Sequence, residues 1–278
     1  MNKHSTPVVG RNPRGSGLHH AETSPLARSQ RSVLIGGLPI AVVDRPEAAR
    51  RIVEVALLRR GVAMPPSFQT SANGQVLVLC DRDPEVRRQF LAADAIHADG
   101  MPMVFASWLL TDTPLPERVA TTDLIHDVMG RAATDGVRSF LLGATADVNR
   151  DAVATLNRLY PDAPEVRGHH GYFARDEEER IIDLVNDFAP DVLWLGLGVP
   201  KEQDFALRNL HRLTGVGVVK TAGGLFDFVA GRRPRAPRLL QDLGLEWAWR
   251  TALEPRRLGP RYFHTNFSAL RLLLTRTG

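Results

Sequence analysis

Between Val137 and Gly224 the chain alternates short apolar runs with longer amphipathic ones, and this alternation limits the possible folds more than any other feature. "SFLLG" is followed by a helical pattern around "DVNRDAVATLNRLY", then "EVRG", the acidic-started "DEEERIIDLVNDF", "DVLWLG", "KEQDFALRNLHRL" and "GVGVVK". Parallel neighbours must be joined by a crossover, and a helix supplies it, so strict alternation predicts right-handed βαβ units. The expected class is α/β: a Rossmann-like parallel sheet flanked by helices. Three strands end in small-residue turns, at Gly143 in "LLGAT", at Gly196 and Gly198 in "LGLGVP", and at Gly223 with Gly224 in "TAGG". Such turns collect at the carboxyl ends of strands, where helix N-termini offer free amides to anions. Three on one edge point to a phosphate-bearing ligand. Neither "GATADV" nor "GLGVPK" gives the G-x-G-x-x-G register of a dehydrogenase.

Upstream, "SVLIGGLPIAVVD" reads as an apolar run and "RPEAARRIVEVALLRRG" as a helix ending at Gly61. "QVLVLCD" fits a strand or a short buried helix. Asp83 and Pro84 look like the N-cap and first-turn proline of a helix over "PEVRRQFLAAD". The short strand Ala95 to Ala98 then runs straight into Asp99 and Gly100. A carboxylate flanked by groups that bury well is either a turn-former or a base at the mouth of a pocket, and the spacing leaves both open.

Residues 1–31 are rich in Ser, Pro, Gly, His and Arg and lack periodic apolar positions, so a disordered tail is expected there, ahead of an α/β core over 32–231. No stretch approaches the ~20 apolar residues of a spanning helix, and the N-terminus has no apolar signal core. A cytoplasmic protein follows. The single cysteine, Cys80 in "VLVLC", rules out intrachain disulfides and suits a buried thiol.

Net charge is +4, and every basic residue except Lys3, Lys201 and Lys220 is arginine. Eight of those arginines crowd "GRRPRAPRLLQDLGLEWAWRTALEPRRLGPRYF": Arg232, Arg233, Arg235, Arg238, Arg250, Arg256, Arg257 and Arg261. Leu239, Leu240, Leu243, Trp247 and Leu253 recur there at helical spacing. Residues 232–278 therefore read as a basic amphipathic helical appendage that lies on an anionic membrane surface, closes over a diphosphate, or packs its leucines on the core. Exposed leucines would favour a homo-oligomer off the membrane. Nucleic acid is not an expected partner, because the arginines pair with leucine instead of stacking aromatics.

"DRD" at 81–83 imitates a metal-binding D-x-D pair, but Asp83 before Pro84 is better explained as a cap. Adjacent His169 and His170 have no Cys or acidic partner at metal spacing and suit a loop touching nucleotide or sugar. No metal or other cofactor is expected.

"SANGQVLVL", "ADGMPMV", "FLLGA", "GYF", "LGLGVPKEQ", "GGLFDFVAG", "RAPRLLQDLGLEW" and "EPRRLGPRY" together resemble the bacterial WecB/TagA/CpsF glycosyltransferases, in the family's order and over roughly residues 33 to 265. The resemblance implies sugar transfer from a UDP-sugar to a polyprenyl-diphosphate-linked acceptor at the inner face of the cytoplasmic membrane, with inversion and no metal. It implies Asp99 as general base and Asn73 in the same pocket, with Ser71 where the family usually has threonine. It places Arg250 and Arg257 over the diphosphate. "PKEQ" replaces the usual Pro-Lys-Gln-Glu, so the glutamine role falls on Gln203 or is lost to Glu202; Pro260 and Arg261 replace a paired arginine, leaving Arg261 as the third phosphate contact. Gly143, Gly198, Gly223, Gly224 and Asp227 complete the expected substrate-binding set, Asp227 either touching substrate or capping "FVAG". A non-catalytic Rossmann-type nucleotide-binding regulatory module is the alternative that the glycine turns alone would satisfy.

Overall fold

The computed structural model describes residues 30–278, without the side chains at 250, 257, 258 and 260–264. The tail expected at 1–31 lies outside the described residues but for its last two positions. A hairpin comes first, β1 (Ser32–Ile35) and β2 (Leu38–Ala41), joined by Gly36 and Gly37 at φ +58° and +85°. Positive φ at both loop positions is the turn that twists with its strands, and glycine enters it without strain. The apolar run of the sequence is therefore two antiparallel strands. There follow α1 (Arg45–Arg59), β3 (Ser67–Ala72), α2 (Gly74–Arg82), α3 (Pro84–Leu91), β4 (Ala95–Ala98), α4 (Met101–Leu110), α5 (Thr121–Asp135), β5 (Ser139–Gly143), α6 (Ala146–Leu159), β6 (Arg167–His169), α7 (Glu178–Phe188), β7 (Val192–Gly196), α8 (Lys201–Asn209), β8 (Val218–Thr221), α9 (Leu225–Val229), α10 (Arg238–Asp242), α11 (Glu246–Leu253) and α12 (Pro255–Thr275).

β3 to β8 form one six-stranded sheet in the order β4-β3-β8-β7-β5-β6, every pair parallel. The α/β class is thus observed. Period-two alternation separates the two faces: Val192 and Trp194 of β7 pack with α1, α5 and α6, whereas Leu193 and Leu195 pack with α7 and α8. "QVLVLCD" is helix α2, capped by Asn73, and Asp83 caps α3 ahead of Pro84. Cys80 is buried, and burial pushes its thiol up to about 12.

The segment after Gly231 is not one helix. Gly244, at φ +72°, breaks it between α10 and α11, and a Cβ there would stand 3.1 Å from Met101 Cβ. The close approach to α4 requires glycine. Helix α12 then folds back: Ala269, Leu272 and Leu273 are buried in a third cluster with α2, α3, α4 and the hairpin. Its end is tied down by Arg276 O accepting from Gly37 N at 2.8 Å and Thr277 Oγ1 accepting from Gly36 N at 3.0 Å. The last turns of the arginine-rich region thus belong to the core. No helix among the described residues is long and apolar enough to cross a membrane.

Candidate active site

Because all six strands run parallel, their carboxyl ends share one edge. The chain leaves β5 through α6 towards β6, and leaves β7 through α8 in the opposite direction towards β8. α6 and α8 lie on opposite faces, so a crevice opens between β5 and β7, the usual ligand position in open α/β sheets. Gly143 and Gly196 are register partners there. A Cβ on Gly143, whose φ is +149°, would sit 2.3 Å from Gly196 O, so only glycine lets the two strand ends meet.

Glu202, in the first turn of α8, organises the next two loops. Its Oε2 accepts from Gly198 N at 3.1 Å and from Gly223 N at 3.0 Å, stapling the ends of β7 and β8 together. Burial pushes its carboxyl up to about 7 against the two N–H groups and the positive charge of Lys220. Lys220 itself, on β8, has no exposed surface; its Nζ donates to Ser71 Oγ at 2.7 Å and to Thr221 O at 3.3 Å.

Asp99 leaves β4 on the same edge. Its Oδ1 accepts from Thr121 N, the first residue of α5, at 2.9 Å. Burial raises its pKa, while the Thr121 N–H, Lys220 and Arg118 oppose the rise and Glu246 adds to it. Ser71 and Thr121 meet through their hydroxyls at 3.1 Å. Asn73 stands one turn away, its Oδ1 accepting from Gln75 N and Val76 N, with its Cβ 3.6 Å from where a Cβ on Gly100 would be. Behind this group His97 is buried, and burial with the charge of Lys220 holds its ring down to about 3.

The stretch "RAPRLLQDLGLEW" is fastened beside the Asp99 turn by ion pairs. Arg118 donates to Glu246 Oε2 at 3.0 Å and Gln241 Oε1 at 2.7 Å, and Arg235 donates to Asp123 Oδ1 at 3.0 Å and to Gln241 Oε1 at 2.8 Å. Burial works against ionised Asp123, yet Arg235, Arg118 and Arg45 hold its carboxyl below the ordinary value. These forks satisfy one another, Arg118 and Arg235 sharing Gln241 Oε1 as acceptor.

Of the residues expected from sequence, Ser71, Asn73 and Asp99 cluster at the β3 and β4 ends, while Gly143, Gly198, Gly223 and Gly224 line the ends of β5, β7 and β8. Gln203 is buried and turned inward, its Nε2 donating to Thr70 Oγ1 at 3.1 Å. The Asp227 carbonyl closes α9 by accepting from Arg232 N and Arg233 N, and its carboxylate lies 4.0 Å from Arg233 Nε. The side chains of Arg250, Arg257 and Arg261 lie outside the described residues. Neither aspartate of "DRD" is idle: Asp83 caps α3 and Asp81 pairs with Arg271 and Arg276 at 3.1 and 2.8 Å. A cleft of about 510 Å³ beside the N-terminus of α6 is lined by Ala146, Asn149, Gly168, His169 and His170.

Sequence reasoning missed Lys220, Thr121 and Arg118. For Lys220 a signal existed: a lysine inside "GVGVVK", a strand expected to be buried, in a chain with only three lysines. Thr121 and Arg118 carry no signal of their own, since they matter only through what the fold sets beside them.

Comparison with known proteins gives a consistent result. The sequence model described as "Glycosyl transferase WecG/TagA/CpsF family" matches residues 33–277. The N-acetylglucosaminyldiphosphoundecaprenol N-acetyl-beta-D-mannosaminyltransferase of Staphylococcus aureus strain MRSA252 is 31% identical over 192 residues, which is 69% of this chain and 74% of that protein. The protein of the same description from strain NCTC 8325 / PS 47 matches to the same extent.

Proposed function

The chain belongs to the WecG/TagA/CpsF family of glycosyl transferases, and on that premise we propose that it moves an N-acetylhexosamine-type sugar from a UDP-sugar to a polyprenyl-diphosphate-linked acceptor, with inversion and without a metal. The observation that carries the reading is the position of Asp99: a carboxylate raised by burial, held by Thr121 N–H through one oxygen, on the sheet edge that also bears the glycine loops. β4 is three inter-strand steps from β7, about 14 Å. A nucleotide diphosphate sugar laid across the edge, nucleotide at the β5–β7 crevice and sugar towards β4, spans that interval.

In the reaction the acceptor hydroxyl attacks the anomeric carbon from the face opposite the diphosphate. Asp99 takes the hydroxyl proton through its second oxygen, the new glycosidic C–O bond forms, and the bond from the anomeric carbon to the diphosphate oxygen breaks, releasing UDP. The departing charge falls at the N-termini of α6 and α8, and the arginines expected over it are Arg250, Arg257 and Arg261. Metal independence is supported by the engagement of both "DRD" carboxylates elsewhere. Gly198 and Gly223 reach the donor through loops that Glu202 fixes, so "PKEQ" uses its glutamate for the loops and its glutamine for the interior.

A lipid-linked acceptor calls for a membrane surface, and Leu239, Leu243, Leu253, Phe267, Leu270 and Leu274 offer exposed apolar groups among arginines on α10 to α12. We place the enzyme peripherally on the inner face of the cytoplasmic membrane, in synthesis of an exopolysaccharide or cell-surface glycan.

The test is Asp99→Asn, assayed with UDP-N-acetylmannosamine and a short-chain prenyl-diphosphate N-acetylglucosamine in EDTA. Expected is a loss of turnover of about 10² to 10⁴ with UDP binding retained. Turnover unchanged in the variant would exclude Asp99 as the base; wild-type protein that binds UDP but never transfers would favour the non-catalytic module.

A further inference from the structure

The mechanism leaves a fully buried lysine beside the site unused. Lys220 is fully buried in the middle of the sheet, a position where an ammonium is rare unless something requires it. Among the described residues its Nζ donates to Ser71 Oγ at 2.7 Å and Thr221 O at 3.3 Å. The Asp99 and Glu202 carboxylates both act on it electrostatically. From this geometry we propose that Lys220 is a positioning residue of the transfer reaction: its ammonium ties the base at the end of β4 to the loops that receive the donor diphosphate. The inference rests on the glycosyltransferase reading above and deepens it.

Hydrogen-bond direction gives the link its content. An ammonium only donates, so Ser71 Oγ accepts from Lys220, and the same hydroxyl shares a hydrogen bond with Thr121 Oγ1 at 3.1 Å. Thr121 in turn holds Asp99, its N–H donating to Asp99 Oδ1 at 2.9 Å, so the contacts run from Lys220 through Ser71 and Thr121 to the base. On the other side Glu202 carries the N–H groups of Gly198 and Gly223. One cation thus balances the base and the loop staple together. Its charge favours the ionised, proton-accepting form of Asp99 against burial. The other charged groups around it are placed differently: Arg118 and Glu246 face Asp99 with opposite signs, and buried His97, reached also by Arg51, is held neutral. Burial pushes Lys220 down to about 8 against both carboxylates and Glu202 up to about 7, and it raises Asp99 as well.

Two measurements test this. With only three lysines in the chain, ¹³Cε-lysine labelling gives Lys220 a resolvable signal in the intact protein. Its titration is expected below the ordinary lysine value, at about 8, and Asp99→Asn is expected to lower it further, by about one pH unit. A Lys220 titration that ignores Asp99→Asn overturns the proposal. Second, the pH profile of kcat is compared for wild type, Lys220→Met and Lys220→Met/Glu202→Gln, the double variant removing both buried charges should the single one not fold. Expected in either variant that binds UDP is an acidic limb moved up by about one unit, a tenfold loss of kcat on that limb with little change in KM. A limb that stays in place, or a double variant that regains the wild-type profile, shows that Lys220 only neutralises Glu202 and defeats the idea. Wild type without transfer activity would instead strike the glycosyltransferase reading itself.

Discussion

Helix α12 carries two faces with different tasks, and truncating leucines on each separates them. Ala269, Leu272 and Leu273 face inward at 7%, 0% and 4% exposure, whereas Phe267, Leu270 and Leu274 face outward at 77%, 53% and 60%. Both sets follow helical spacing. Leu272→Ala removes a buried side chain from the cluster shared with α2 and the hairpin, where such a change costs about 2–5 kcal/mol. For a domain of this size each kcal/mol shifts Tm by about 2–4 °C, so a fall on the order of 10 °C is expected. Leu270→Ala with Leu274→Ala leaves Tm within about 1 °C, since exposed positions away from special features contribute little. On anionic vesicles the order reverses: roughly half of each leucine is still open to be buried, worth about 1 kcal/mol per residue, so the outward pair weakens partitioning by about 30-fold. The assays are thermal denaturation and vesicle co-sedimentation at fixed salt. An outward pair that destabilises the fold while binding vesicles normally would refute both the packing and the membrane-facing assignment.

Two further outcomes follow from the sheet edge. Gly143→Ala forces a Cβ to 2.3 Å from a backbone oxygen at positive φ and should cost about 3 kcal/mol or more and abolish UDP-induced stabilisation in a thermal-shift assay, whereas Gly198→Ala, with positive φ but open space, should cost only about 1–2 kcal/mol; equal effects would contradict the close β5–β7 approach. His97, depressed to about 3 in the fold from 6.5, makes stability fall as pH drops below 6.5, because the unfolded chain takes a proton that the native state refuses, about 2 kcal/mol by pH 5. Glu202, raised from 4.5 to about 7, contributes in the opposite sense over pH 7 to 4.5, so the readout is the difference between His97→Gln and wild type in urea unfolding: the variant's relative stability should rise by about 2 kcal/mol between pH 7.5 and 5, and a constant difference would show that His97 titrates normally.

Local chemistry was enough to announce most of the architecture. Apolar runs with period two, amphipathic runs with period 3.6, Asp83 before Pro84 and glycines at strand ends each act through neighbours in sequence, and β5 to β8 appear where that pattern places them. Asp99 was legible for the same reason, as a carboxylate closing a buried strand. Strand order was not: that β8 inserts between β3 and β7 depends on which faces pack, and only this insertion sets Lys220 against Ser71, 149 positions away. The same holds for Arg118 and Glu246, joined across 128 residues, and for α12, whose leucines read equally well as surface or core until the hairpin and α2 were there to cover one side. Periodicity states that a face must be buried; what buries it, and which charges are thereby brought together, is decided by the long-range pairing of elements whose sequences carry no record of each other.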